Sequence, residues 1–170
     1  MPDVIVRPAR RAELAAVGEL RVAAYQAQNL LSANPPYANT LRTLGADGQG
    51  EVLVALDGDG DGDCEEILGS IMLDPWHVRS EIARAPDEAE IRGLAVAPAA
   101  QGRGVGANLV RAVIDRAAAR GARRLLLSTQ PAMTAAQRLY LATGFTRLPD
   151  RDWSPTPGLT LLAFSLPLGD

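Results

Sequence analysis

The chain has 170 residues, 47% of them apolar and 22% charged, with a net charge of −3. That is room for one domain with a core and too little for two comfortable ones, and nothing in the charge balance predicts a nucleic-acid groove or an anionic-membrane surface held by bulk electrostatics. All 17 basic residues are Arg and none is Lys, which removes lysine Schiff-base and phosphate-loop lysine chemistry. Cys64 and His77 are the sole cysteine and histidine, so intrachain disulfides and Cys/His metal centres are excluded by counting and no metal is expected. Residues 2–20 carry six charged side chains from Asp3 to Glu19 and no apolar run of signal length, and no segment is apolar enough to span a bilayer. The expectation is a soluble, unprocessed, cytoplasmic protein.

Val4 to Arg7 reads as a first strand, broken by Pro8. From Arg11, the apolar positions Leu14, Val17, Leu20, Ala24 and Tyr25 recur at helical spacing and predict an amphipathic helix ending before Asn29. Asn34-Pro35-Pro36-Tyr37 is turn chemistry, with a short second helix over 37–44. Glu51 to Leu56 and Glu66 to Leu73 read as a hairpin whose tip is the Asp/Gly run 57–63. Asp57, Asp59, Asp61 and Gly62 match the start of a calcium-binding loop, but its twelfth position is Leu68 and its flanks are strands, so an acidic tip is the better reading.

Glu90 to Val96 is a further strand, residues 104–120 a strong helix with Leu109, Val110, Val113, Ile114 and Ala117 on one face, and Arg124 to Thr129 another strand. A right-handed crossover makes these two strands parallel. Ala135 to Ala142 forms a last helix capped by Gly144, Phe145 begins an extended segment, and Gly158 to Leu166 closes the domain. The element order is α+β in character, without repeats or linkers.

The run Gln101-Gly102-Arg103-Gly104-Val105-Gly106 precedes a helix, where unpaired amides and the helix dipole attract anions and glycines allow close approach. No Lys-Ser or Lys-Thr follows, which removes a phosphate-binding Walker loop. A dinucleotide fingerprint fits formally through Gly102, Gly104 and Ala107. It is opposed by the five residues between Val96 and Gly102, and by a next strand that ends in Ser128-Thr129 with no acid for a ribose.

Gln101-x-x-Gly104-x-Gly106 resembles the [R/Q]-x-x-G-x-[G/A] signature of the GNAT superfamily of N-acetyltransferases. The run from Glu90 to Pro98 looks like that family's fourth strand, and Ala136 to Phe145 is similar to its late A-x-x-L-Y-x-x-x-G-F segment. The resemblance implies the GNAT fold: a mixed, mostly antiparallel sheet of six to seven strands, splayed between the fourth and fifth and flanked by about four helices.

It further implies acetyl-CoA as acyl-donor cosubstrate, its pantetheine arm along Leu94, Ala95 and Val96 and its pyrophosphate on the amides of Gln101 to Gly106. Arg103 is a possible charge partner there, or a solvated loop arginine. Tyr140 matches the tyrosine that protonates the leaving thiolate, and Glu90 the position of a general base, with Glu88 or Asp87 as substitutes. Met133 stands where many relatives carry an Asn, so that cofactor contact is absent or taken over by Gln130 or Thr134. Tyr25, Asn29, Tyr37, Trp76 and His77 are candidate pocket residues for a small-molecule or peptide amine, and residues 153–157 could line the pocket or cover the edge of a homodimer. Direct transfer in a ternary complex is the leading expectation. A non-catalytic acyl-CoA-binding sensor or interaction module is the alternative.

Overall fold

The structure is a computed structural model that describes residues 4–58 and 66–169. Most of the calcium-loop comparison, at residues 59–63, lies outside the described residues. The strands are β1 (Val4–Pro8), β2 (Glu51–Asp57), β3 (Ile67–Pro75), β4 (Glu88–Val96), β5 (Arg124–Thr129), β6 (Thr146–Arg147), β7 (Trp153–Thr156) and β8 (Leu159–Pro167). The helices are α1 (Leu14–Ala27), α2 (Tyr37–Thr43), α3 (Val105–Ala119) and α4 (Thr134–Thr143).

The strands run in the order β1-β2-β3-β4-β5-β8-β6, with β7 paired to β8. Every pairing is antiparallel except β4 with β5, the pair joined by the α3 crossover. The extended segment expected from Phe145 is β6, and one strand, β7, exceeds the sequence expectation. It is short and Pro155 interrupts its β-pattern, so it lacks the alternation that marks a strand.

Period-2 alternation places the helices on opposite faces of the sheet. Leu53 and Ala55 of β2 join Ile71, Leu73 and the α3 side chains Leu109, Val110 and Val113 in the larger core. Their neighbours Val52, Val54 and Leu56 point the other way, onto Val17 of α1 and Met72. Leu109, Val110 and Val113 are fully buried, each contributing about 1.5–3 kcal/mol of transfer free energy. A polar residue at any of them breaks this layer. Leu139 and Tyr140 of α4 also pack against the α3 side.

One irregularity shapes everything that follows. Ser70 faces Ala95 while Met72 faces Arg92, so β4 carries one residue more than β3 across this stretch. The extra residue falls at Gly93, whose φ of +66° side chains rarely adopt. Such a bulge bends its strand. Correspondingly β4 pairs with β5 only from Glu88 to Glu90, and its remaining edge out to Val96 parts from β5.

Candidate active site

Past the bulge, Leu94, Ala95 and Val96 present an edge that β5 no longer fills, and the chain then turns through Pro98–Ala100 to α3. Gly104 caps α3 with φ +78°, and Gly102 also takes positive φ at +81°. These two left-handed residues fold the loop so that it leads into the first amides of α3, the positive end of the helix dipole. Leu94, Ala95, Val96, Gln101, Gly102, Gly104, Val105 and Gly106 together line a groove of about 260 Å³, with Ala136 and Leu139 of α4 opposite. An unpaired strand edge leading to an anion-attracting helix end suits an amide-bearing arm that ends in a pyrophosphate.

Arg103 is the exception among the expected groove residues. Its guanidinium pairs with the Asp57 carboxylate at the end of β2 and does not line the groove.

A second cavity, of about 280 Å³, opens on the other side of the splay. It shares Tyr25, Leu94 and Met133 with the groove, so the two spaces adjoin. Tyr140, Tyr37, Trp153, Ser128 and Gln130 also line it, and its charged members are Glu81 and Arg92. Of the residues expected to select an acceptor, Tyr25, Tyr37, Trp153 and Pro155 are in place. Asn29 holds a positive φ of 56° at the end of α1 and lies outside both cavities, Trp76 is part-exposed on the surface, and His77 belongs to a third cavity.

The Tyr140 side chain is 4% exposed, wedged by Phe145 and Phe164. Among the described residues nothing is hydrogen-bonded to its hydroxyl, and burial pushes its pKa well above the ordinary tyrosine range. The phenol therefore stays protonated at any pH where the protein works.

Glu90 lies on β4 as expected, with its side chain turned to the loop before that strand. It is 1% exposed and does not line the acceptor cavity. Its carboxylate accepts the backbone N–H of Glu81 at 3.3 Å, of Ala83 at 2.7 Å and of Ile82 as well. Three amides on one carboxylate are a strong anchor, and they turn Glu90 toward the 81–83 backbone. Glu88 is likewise engaged: its carboxylate accepts from the Arg151 guanidinium at 2.8 and 3.1 Å, from Arg124 at 3.2 Å and from the Arg84 amide at 2.8 Å. Burial raises the Glu88 pKa, but these donors outweigh it and the net shift is downward. Asp87 offers its backbone carbonyl to the amides of Arg123 and Arg124.

The two anchored carboxylates hold the segment 81–84 against the sheet, and that segment delivers Glu81 to the cavity. Glu81 Oε2 accepts from Arg92 Nη2 at 3.1 Å. Burial raises its pKa above the ordinary 4.5, with Arg92 opposing and the Glu90 and Asp74 carboxylates reinforcing the rise. A carboxylate so placed is a better proton acceptor than a solvated one. Sequence reading missed Glu81 because nothing local marks it. Its place depends on Glu90, nine residues on, folding the intervening loop.

Beneath the bulge lies Arg21, 1% exposed, donating from Nη1 to the carbonyls of Leu41 and Leu44 at 2.9 and 2.8 Å. These are carbonyls at the end of α2, so Arg21 caps that helix and fixes it to α1. Burial lowers its pKa to about 10, and it remains charged. A Cβ at Gly93 would lie 3.3 Å from its Nε.

The sequence of residues 16–145 matches the acetyltransferase (GNAT) family. The chain belongs to that family. Over 72 residues it is 39% identical to the [ribosomal protein bS18]-alanine N-acetyltransferase of Haemophilus ducreyi, a match that spans 42% of this chain and half of that relative's length. In three dimensions this GNAT domain resembles a GCN5-related N-acetyltransferase from Kribbella flavida, with 26% identity, a TM-score of 0.66 and coverage of 97% and 98% of the two chains. It also shares its fold with Salmonella typhimurium yncA, determined with acetyl-CoA, at 21% identity and a TM-score of 0.67 over 99% and 95% of the chains. Among the described residues no helix is long and apolar enough to cross a membrane.

Proposed function

We propose that this GNAT domain transfers the acetyl group of acetyl-CoA directly to an amine held in the cavity lined by Glu81 and Tyr140, and that it does so in the cytoplasm. One observation carries the reading: the groove that suits the donor and the cavity that holds a raised-pKa carboxylate and a protonated phenol adjoin at Tyr25, Leu94 and Met133. The acceptor is a peptide or small-molecule amine. The relative named for an alanine of ribosomal protein bS18 favours a polypeptide amine.

Acetyl-CoA supplies an activated thioester. The residues supply position and proton control. An amine with a pKa near 10.4 is almost wholly ammonium at pH 7, and freeing its lone pair costs about 4.6 kcal/mol. Glu81 takes that proton, and Arg92 keeps the carboxylate aimed. At the leaving sulfur, a thiol pKa near 8.5 against a tyrosine near 10 makes full proton transfer uphill by at least about 2 kcal/mol, before burial adds to it. Tyr140 therefore acts chiefly as a hydrogen-bond donor to the developing thiolate.

The test crosses two substitutions in a thiol-release assay. Glu81→Gln lowers kcat by about 10² or more and abolishes the acid limb of the pH–rate profile. In the parent protein that limb lies above the ordinary carboxylate value of 4.5, because the raised pKa means the base form is lost earlier as pH falls. Glu90→Gln lowers kcat by loosening the loop but keeps a limb. If the limb vanishes in Glu90→Gln and survives in Glu81→Gln, the base is Glu90 and the assignment is wrong.

A further inference from the structure

The acceptor cavity does not end at Arg92. On the far side of Arg92 and Thr40, which line both spaces, lies a third cavity of about 320 Å³. Its other walls are mixed: Thr43, Asp47, Gln49, His77 and Arg79, with Asp74 between them, beside the apolar Leu44 and Met72. Two polar groups at this junction are without partners among the described residues. Arg92 Nε and Asp74 Oδ1 are both buried, and neither has a hydrogen bond there. Asp74 is 2% exposed; its other oxygen, Oδ2, is 3.3 Å from His77 Nε2 and 3.8 Å from Arg92 Nη1. Unsatisfied buried polar atoms are costly, and a ligand that completes them gains that difference.

The order of groups along this path is a carboxylate, then a guanidinium, then a second carboxylate with one free acceptor. An ammonium suits Glu81, a carbonyl oxygen suits Arg92, and an N–H donor suits Asp74 Oδ1. A polypeptide N-terminus presents these in the same order: α-amine, first carbonyl, next amide N–H. A lone alkyl amine or an amino sugar offers no carbonyl, and a free amino acid offers no following N–H.

Resting on the transferase reading above, we propose that the acceptor is the α-amine of a peptide chain. Its first carbonyl is read by Arg92, the N–H that follows by Asp74, and its later residues occupy the cavity beyond. The aromatic and apolar walls around Tyr37, Leu159 and Leu161 are left for the first side chain. The lining of the outer cavity, with both acidic and basic members, favours polar residues after the first.

The experiment measures kcat/KM by thiol release for three matched series that share one side chain: tripeptides, free amino acids, and the corresponding decarboxylated amines, with amino sugars alongside. The tripeptide is expected to exceed the free amino acid by about tenfold and the decarboxylated amine by about a hundredfold. Arg92→Met and the charge-keeping Arg92→Lys should both shrink the tripeptide-to-amine ratio at least tenfold, and Asp74→Asn the tripeptide-to-amino-acid ratio. Acetyl-CoA affinity, measured by calorimetry, shows that each variant is folded. Amines or amino sugars turned over as well as tripeptides overturn the role of Arg92. Free amino acids matching tripeptides overturn the outer cavity. Acetyl-CoA binding with no thiol release from any amine removes the transferase reading itself, and this proposal with it.

Discussion

The donor groove and the acceptor cavity adjoin at Tyr25, Leu94 and Met133, yet they are built by different means. The groove comes largely from one continuous stretch, residues 94–107, and what it offers is backbone: a strand edge freed by the Gly93 bulge and the amides that follow Gly104. The cavity is assembled from α1, α2, the loop before β4, β4, β5, α4, β7 and β8, and it offers side chains. A backbone site needs little more than permissive residues at the right spacing. A side-chain site needs each contributor to be held, and the holding groups, Glu90, Glu88, Arg151 and Arg21, outnumber the groups that face the cavity with charge.

Three substitutions sharpen or break this contrast. The largest effect is expected on the side-chain half. Tyr140→Phe removes only a hydroxyl from a ring packed between Phe145 and Phe164. It should fold normally and lose roughly 10²-fold in kcat, and an unchanged kcat would remove Tyr140 from the chemistry. Next comes Arg21→Met, which forfeits two charged hydrogen bonds to the end of α2 and regains part of the burial penalty. The net loss should be about 2 kcal/mol of stability, seen as a Tm lower by roughly 4–8 °C. A raised Tm would show that burial, not capping, dominates at this arginine. The smallest effect is expected on the backbone half. At Gly104 an added Cβ meets only Asn108 Nδ2 at 3.9 Å, so Gly104→Val acts through its φ of +78° rather than by collision. The strain of about 1–2 kcal/mol should appear as an acetyl-CoA KM raised about tenfold with kcat little changed. A large fall in kcat would mean that the loop also shapes the acceptor side.

The same contrast explains what the sequence made legible. The strand before Val96, the helix after Gly104, the parallel β4–β5 crossover and the Tyr140-Gly144-Phe145 segment are local patterns, and each is found where spacing predicts it. The expectation of about four helices on a mostly antiparallel sheet agrees with the fold. The extra strand β7 escaped because four residues interrupted by a proline carry no periodicity. Glu90 sits at the expected position, but its partners come from a loop seven to nine residues earlier, and only the folded chain shows that it anchors that loop. Arg21 left a readable sign: it follows Val17 by four residues and precedes Ala24 and Tyr25, all buried, so it sits on the inner face of α1. A charged residue on such a stripe calls for buried acceptors, and the α2 carbonyls supply them to Nη1.

The strand order carries a consequence for how the protein is made. β8 lies inside the sheet, between β5 and β6, yet it follows all the other described strands in chain order. Until residues 159–167 leave the ribosome, β5 presents an unpaired edge bearing Leu125, Leu126 and Leu127, three side chains that the finished protein hides almost completely. Nascent or truncated chains thus carry an apolar, strand-ready border that invites pairing with a neighbouring copy. Chaperone dependence during synthesis, and aggregation of chains stopped before residue 159, follow from that order of assembly.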